Sequence, residues 1–216
     1  MFAYGGNNPV NMYDPDGACS RFLGFLWKVD CGKVDCPESK EYDPSASVVA
    51  VLYDSRSSGF LRLINGQGFK DQGEQIAKDL QSLHIVECYP YTNMNEFVDS
   101  WNSLNAEYDK IYVIGHGYAG GMSCAGQSIS NSSEEAYSFG DLKTVSATTV
   151  YLYVCNGATI DGKGNSVAFS FAYLTNGSVW AISNGKLSYD YWTLVPYPTR
   201  GGSWSVTKGN TTTAMP

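Results

Sequence analysis

The chain has 216 residues, enough for one domain with a sizeable core. Hydrophobic residues at 43% and charged residues at 16% fit a folded chain rather than a disordered one, and 23 glycines with 16 tyrosines point to loop-rich, partly β architecture. A net charge of −7 without any Lys/Arg cluster opposes a phosphate backbone, and no apolar run approaches the ~20 residues of a bilayer crossing, so neither a nucleic-acid partner nor a membrane span is expected.

The chain opens on turn chemistry. Asn, Pro, Gly and Asp dominate Phe2 to Gly17, and the first ten residues have neither the basic region nor the apolar core of a signal peptide. Positions 18–45 read as an N-terminal extension holding Cys19, Cys31 and Cys36, whose spacing matches no zinc motif, so no metal is expected there. With Cys88, Cys124 and Cys155 they are spread over a domain large enough not to need staples, and reduced thiols are the expectation.

A regular alternation follows. Ser47 to Ser55 is a β-branched apolar run and reads as a buried strand. Phe69 to Leu83 reads as a helix with Phe69, Gly73, Ile76, Ala77, Leu80 and Leu83 on one face. His84 to Tyr89 is a second strand, and Asn93 to Asn105 a second helix, with Thr92 available as its cap and Phe97, Val98, Trp101 and Leu104 as its buried stripe. Asp109 to Gly117 is a third strand. Tyr118 to Ser130 is too rich in Gly and Ser for a helix and suits a short hairpin. Phe139 to Val145 reads as a short helix, Thr148 to Cys155 as a fourth strand, Gly164 to Gly177 as a helix closed by Asn176-Gly177, and Ser178 to Ser183 as a fifth strand. The remainder reads as β structure or an ordered tail.

Strands alternating with helices of this length imply right-handed crossovers, hence an α/β fold with a mostly parallel sheet of about five or six strands covered on both faces. Chemistry in such sheets collects at the carboxyl ends of strands, which singles out His116 after YVIG and Cys155 after YLYV. A thiol near neutral pH needs a base or an imidazolium partner, and an imidazole supplies one while later protonating the leaving amine. Gly117 leaves backbone room for a substrate, and its N–H with that of Cys155 are the candidate oxyanion donors. Singly, a His beside Gly is more often a turn or core residue and a strand Cys more often packing; at corresponding strand ends the two make a nucleophile and base at one site. His84 reads as structural. Cys124 is the rival nucleophile, but a Gly/Ser loop offers no strand end to fix it. This chemistry requires no cofactor, and neither a G-x-S-x-G elbow nor a phosphate-binding loop occurs.

Two resemblances add to this reading. Asn7 to Gly17, NNPVNMYDPDG, resembles the end of the Rhs/YD-repeat core, where such a stretch separates an encapsulating shell from a variable C-terminal toxin. That resemblance implies a core end or linker over 1–17 and a secreted effector beyond it. The effector would be delivered into the cytoplasm of a target cell, with the Rhs core shell of the parent protein and a cognate immunity protein as partners. Over Ser47 to Ser183, the order of elements with "apolar strand, His-Gly" and "apolar strand, Cys" resembles the caspase, gingipain, clostripain and separase group of cysteine peptidases. It implies a caspase-like three-layer sandwich over 46–216, a protein substrate cleaved through His116 and Cys155, and a specificity pocket drawn partly from the loop after the first strand. There Arg56 would favour an acidic side chain before the scissile bond and Asp54 a basic one, the alternative for each being a solvated surface charge. The Q-A-C-x-G signature of true caspases is absent, with Val154-Cys155-Asn156-Gly157 in its place. Two other readings share these residues: an esterase-type serine or cysteine hydrolase using GHGYAGG as an oxyanion loop, and an inactive caspase-like module that binds in the same cleft.

Overall fold

The computed structural model describes residues 47–56, 68–132, 134–189 and 195–215; the core end and extension expected over 1–45 lie outside them. In chain order the strands are β1 (Val48–Asp54), β2 (Ile85–Tyr91), β3 (Tyr108–Ile114), β4 (His116–Tyr118), β5 (Gly121–Cys124), β6 (Gln127–Ser130) and β7 (Tyr137–Ser138). They continue as β8 (Ala147–Tyr153), β9 (Ser178–Ser183), β10 (Lys186–Tyr189), β11 (Pro196–Thr199), β12 (Ser203–Lys208) and β13 (Thr211–Ala214). The helices are α1 (Phe69–Leu80), α2 (Met94–Ser103) and α3 (Val167–Thr175).

The main sheet has seven strands in the order β13-β12-β9-β8-β3-β1-β2. Every pairing from β2 to β9 is parallel, while β12 and β13 add antiparallel at one edge. The expected mostly parallel α/β sheet is therefore present but larger than the predicted five or six strands, because the C-terminal tail supplies two edge strands. Strand β1, between β3 and β2, is buried on both faces, as its continuous Val-Val-Ala-Val-Leu run requires. On one face Val49, Val51, Tyr53 and Ile114 pack against Phe69 and Ala77 of α1. On the other, Ala50, Leu52, Val113, Val150 and Leu152 pack against Phe97 and Trp101 of α2 and Phe171 of α3.

Local chemistry sets the element ends. Helix α1 stops at Leu80, and Leu83, expected on its buried face, is 76% exposed. Asn93 rather than Thr92 caps α2, its Oδ1 accepting from the Glu96 amide at 2.9 Å, while the Glu96 carboxylate reaches back to the Thr92 amide and hydroxyl. The helix expected over Phe139 to Val145 is only a 3₁₀ turn, Phe139–Asp141, closed by a Ser138/Asp141 capping box; one turn cannot propagate once Leu142 turns extended. The third strand ends at Ile114, three residues before the expected Gly117, and His116 opens a second, four-stranded sheet, β4-β5-β6-β7. The hairpin expected within Tyr118 to Ser130 is β5–β6, turned by Ala125 (φ 53°) and Gly126 (φ 76°). Cys124 and Cys155 are free, but Cys88 is disulfide-bonded, against the expectation of reduced thiols. It lies half-buried on edge strand β2.

Candidate active site

Strands β3 and β8 run parallel with Ile114 opposite Tyr153. His116 and Cys155 each stand two residues beyond that pair, so the sheet brings both to the same rim. The ladder extends past the strand ends through Gly115 N–H to the Tyr153 carbonyl at 3.3 Å. Gly117 then lies against the main chain of Cys155: a Cβ there would stand 2.7 Å from the Cys155 carbonyl oxygen and 2.8 Å from Val154 Cβ, so no larger residue fits. The main chains of the two expected oxyanion donors are thus in contact. The next amide is committed elsewhere, since Asn156, left-handed at φ 55°, donates to the Gly185 carbonyl at 3.0 Å.

Both side chains rest on the apolar cluster of the α1 face. The His116 ring meets Phe69 edge-on, centroids 4.8 Å apart at 88°. Cys155 packs against the cluster that contains Phe69, Ile114 and Leu187. Its Sγ accepts from the Leu187 amide at 3.4 Å and lies 4.0 Å from the Leu187 carbonyl. Among the described residues no hydrogen bond joins the His116 ring to this sulfur; bonds between catalytic groups commonly tighten only when substrate is bound. Burial pushes the His116 pKa below its ordinary value, with Asp54 pulling it up and Arg56 pushing it down. Burial wins, so the imidazole is neutral at neutral pH, the form that accepts a proton.

Asp54 and Arg56 form one unit rather than two solvated charges. Arg56 donates from Nε to Oδ1 at 3.1 Å, from Nη2 to Oδ2 at 2.8 Å and from its own amide to Oδ1 at 3.0 Å. The carboxylate is 1% exposed and the guanidinium side chain 36%, so the anion is spent inside the protein and the cation faces outward. The solvated surface charge considered as the alternative for Asp54 is thus not what the structure shows: its carboxylate is buried and committed to Arg56.

Cys124 lies in β5 rather than in a loop and is buried against this pair. Burial first, then Asp54, pushes its thiol up to about 12, so it stays protonated and unreactive. His84 contacts the Ser47 hydroxyl through Nδ1 and has a structural place at the start of β2. Sequence reasoning took Phe69 only as a helix-face residue and left Leu187 inside an unassigned tail. The available signal for the latter was Pro196-Tyr197-Pro198, alternating prolines that mark a strand with one unpaired edge.

A mostly parallel α/β sheet with a free thiol and a neutral imidazole at one carboxyl rim suits nucleophilic catalysis. Neither a family model nor a curated protein sequence matches the chain.

Proposed function

We propose that the chain is a caspase-like cysteine endopeptidase and the toxin portion of an Rhs-type protein, acting on proteins of a target cell. The observation that carries the peptidase reading is the placement of His116 and Cys155 two residues beyond the in-register pair Ile114 and Tyr153. In this mechanism the Cys155 sulfur attacks the carbonyl carbon of the scissile bond while its proton passes to His116. The C–N bond breaks, His116 protonates the departing amine, and an acyl thioester remains on Cys155. His116 then takes a proton from water, whose oxygen attacks the thioester; the carboxylic acid leaves and the thiol is restored. The Gly117 and Cys155 amides receive the developing oxyanion, and the outward guanidinium of Arg56, held by buried Asp54, selects an acidic side chain before the scissile bond.

The toxin reading stands on Asn7 to Gly17, and with it come delivery into a competing cell and a cognate immunity protein that covers the rim. Expression of wild type, Cys155→Ala and His116→Ala in target cells tests both readings together. The expected result is toxicity and new protein N-termini with wild type alone. Equal toxicity from all three chains, without new termini, overturns the peptidase reading.

A further inference from the structure

The hairpin β10–β11 belongs to neither larger sheet. Its register sets Leu187 opposite Pro198 and Tyr189 opposite Pro196. Residues facing each other across an antiparallel pair alternate between exchanging main-chain hydrogen bonds and making none, and proline has no N–H to exchange. Both prolines therefore occupy the non-bonded positions, which turns the N–H and C=O of Leu187 away from β11. What they meet there is the sulfur of Cys155, 3.4 Å from the amide nitrogen.

The turn after Cys155 is tied to the same stretch of chain at further points. The Gly185 carbonyl accepts from the Asn156 amide at 3.0 Å, the Ile182 carbonyl from the Ala158 amide at 2.9 Å, and the Asn184 amide donates to Thr159 Oγ1 at 2.7 Å. Gly185 and Gly202 pack backbone to backbone, too closely for a side chain on either, which fixes how near β10 approaches the rim. The Leu187 side chain is buried in the cluster that Cys155 packs against, so it cannot swing clear on its own.

We propose that Leu187 is a positioning residue for the nucleophile: its main-chain N–H, kept free of β11 by Pro196 and Pro198, holds the Cys155 sulfur at the rim. The assignment rests on the cysteine-peptidase reading for its use, but the contact is testable without it. An amide donor at this distance aims the sulfur, and its hydrogen bond is stronger to a thiolate than to a thiol.

Two measurements on the full chain decide the matter. The first replaces the Leu187 amide by an ester, incorporating the α-hydroxy analogue of leucine at position 187, and reads iodoacetamide alkylation of Cys155 at pH 7 by peptide mass spectrometry. Buried Cys124 serves as the internal standard for a folded chain. Alkylation of Cys155 is expected to fall on the order of tenfold, the size of a hydrogen bond to a charged group. The same analogue at exposed position 83, whose amide bonds the Leu80 carbonyl instead, is expected to stay within about twofold of wild type, as the Leu187 donor is unchanged. Unchanged alkylation in the ester variant at position 187, or equal slowing in the ester variant at position 83, overturns the proposal. The second measurement needs no change at position 187. In wild type labelled with 15N-leucine, the Leu187 amide proton is expected to shift as Cys155 ionises and to stay flat in Cys155→Ser; a flat titration in wild type overturns the proposal even if the ester chain fails to fold. Slowed alkylation in an ester variant of a chain that cleaves no protein would uphold the positioning role and remove the peptidase reading.

Discussion

A half-buried imidazole beside a carboxylate and a guanidinium has a titration whose direction follows from its neighbours. His116 is held below the ordinary value of about 6.5 by burial, and Arg56 adds to that while Asp54 opposes it. A 1H–15N NMR titration resolves it readily, because the chain has only two histidines and His84→Gln identifies the other. The expected midpoint lies below 6.5, and Arg56→Gln, which leaves Asp54 unopposed, is expected to move it upward. On acidification the unfolded chain protonates first, so the stability contributed by neutral His116 is complete above about 6.5 and is lost as pH falls through the lower folded value. Arg56→Gln also tests specificity. On peptides with an acidic residue before the scissile bond, kcat/KM is expected to fall about 10- to 100-fold, the loss of one charge-assisted bidentate contact, while peptides with a neutral residue there lose little. An equal loss on both peptide sets would assign Arg56 to the fold rather than to selection. Cys124→Ala, by contrast, is expected to leave cleavage intact, since that thiol is buried and held protonated; loss of cleavage with the fold retained would make Cys124 part of the chemistry.

Among the elements, α1 links fold to site because one end carries Phe69 onto the His116 ring and its middle rests on β1. That second contact depends on Gly73, where an added Cβ would fall on the ring of buried Tyr53. Gly73→Ala is expected to destabilise by about 1–3 kcal/mol, the usual cost of overpacking a closed core, although alanine is the better helix former. Urea unfolding checks the first part, and loss of the Phe69–His116 ring-current shift checks that α1 has moved; a variant more stable than wild type would show that the contact yields. The same element shows why sequence reading succeeded only in part. Helical spacing of Phe69, Gly73, Ile76 and Ala77 revealed the buried face, but nothing local distinguishes Leu80, on the helix, from Leu83 in the turn beyond it. The apolar run of β1 was legible because a strand buried on both faces needs no alternation, and those of β3 and β8 because their aromatic and β-branched residues cover a sheet face that is only partly open; with them came the rim that carries His116 and Cys155. Strands β12 and β13 are Ser- and Thr-rich edge strands whose identity comes from pairing with β9, a long-range contact that no local pattern announces. Leu187 was illegible for the same reason: its role comes from a proline-bearing partner strand and a sulfur supplied by β8.

At the scale of the whole molecule, a groove of about 360 Å³ on the sheet is lined by Tyr151, Tyr153, Trp180, Trp204 and Met215, and none of His116, Cys155, Asp54 and Arg56 is among its lining residues. Its rings pack on one another, Tyr151 on Trp180 at 6.4 Å and Tyr153 on Trp204 at 6.0 Å, and so tie β8 to the antiparallel edge. The rim itself is built by β1, β3 and β8, with β9 and β12 standing between it and β13. Among the described residues, strand β13 pairs only with β12, adding four register positions, the Thr207–Thr212 hydroxyl bond at 2.8 Å and the Met215 amide to the Trp204 carbonyl at 2.8 Å. Ending the chain at Lys208 should therefore cost a few edge-strand hydrogen bonds, including the partner of the buried Thr207 hydroxyl, and little apolar core, about 1–2 kcal/mol. For a domain of this size that lowers Tm by roughly 2–8 °C. Because the packing of α1, α2 and α3 on the sheet around β1, β3 and β8 remains, kcat/KM is expected to stay within about twofold of the full chain. Calorimetry and peptide cleavage on the same preparation separate the two effects: a folded chain with lowered Tm and full activity makes the antiparallel edge a stabilising border, whereas a folded chain with normal Tm and lost activity would couple that border to the rim through β9 and the Gly185–Gly202 contact.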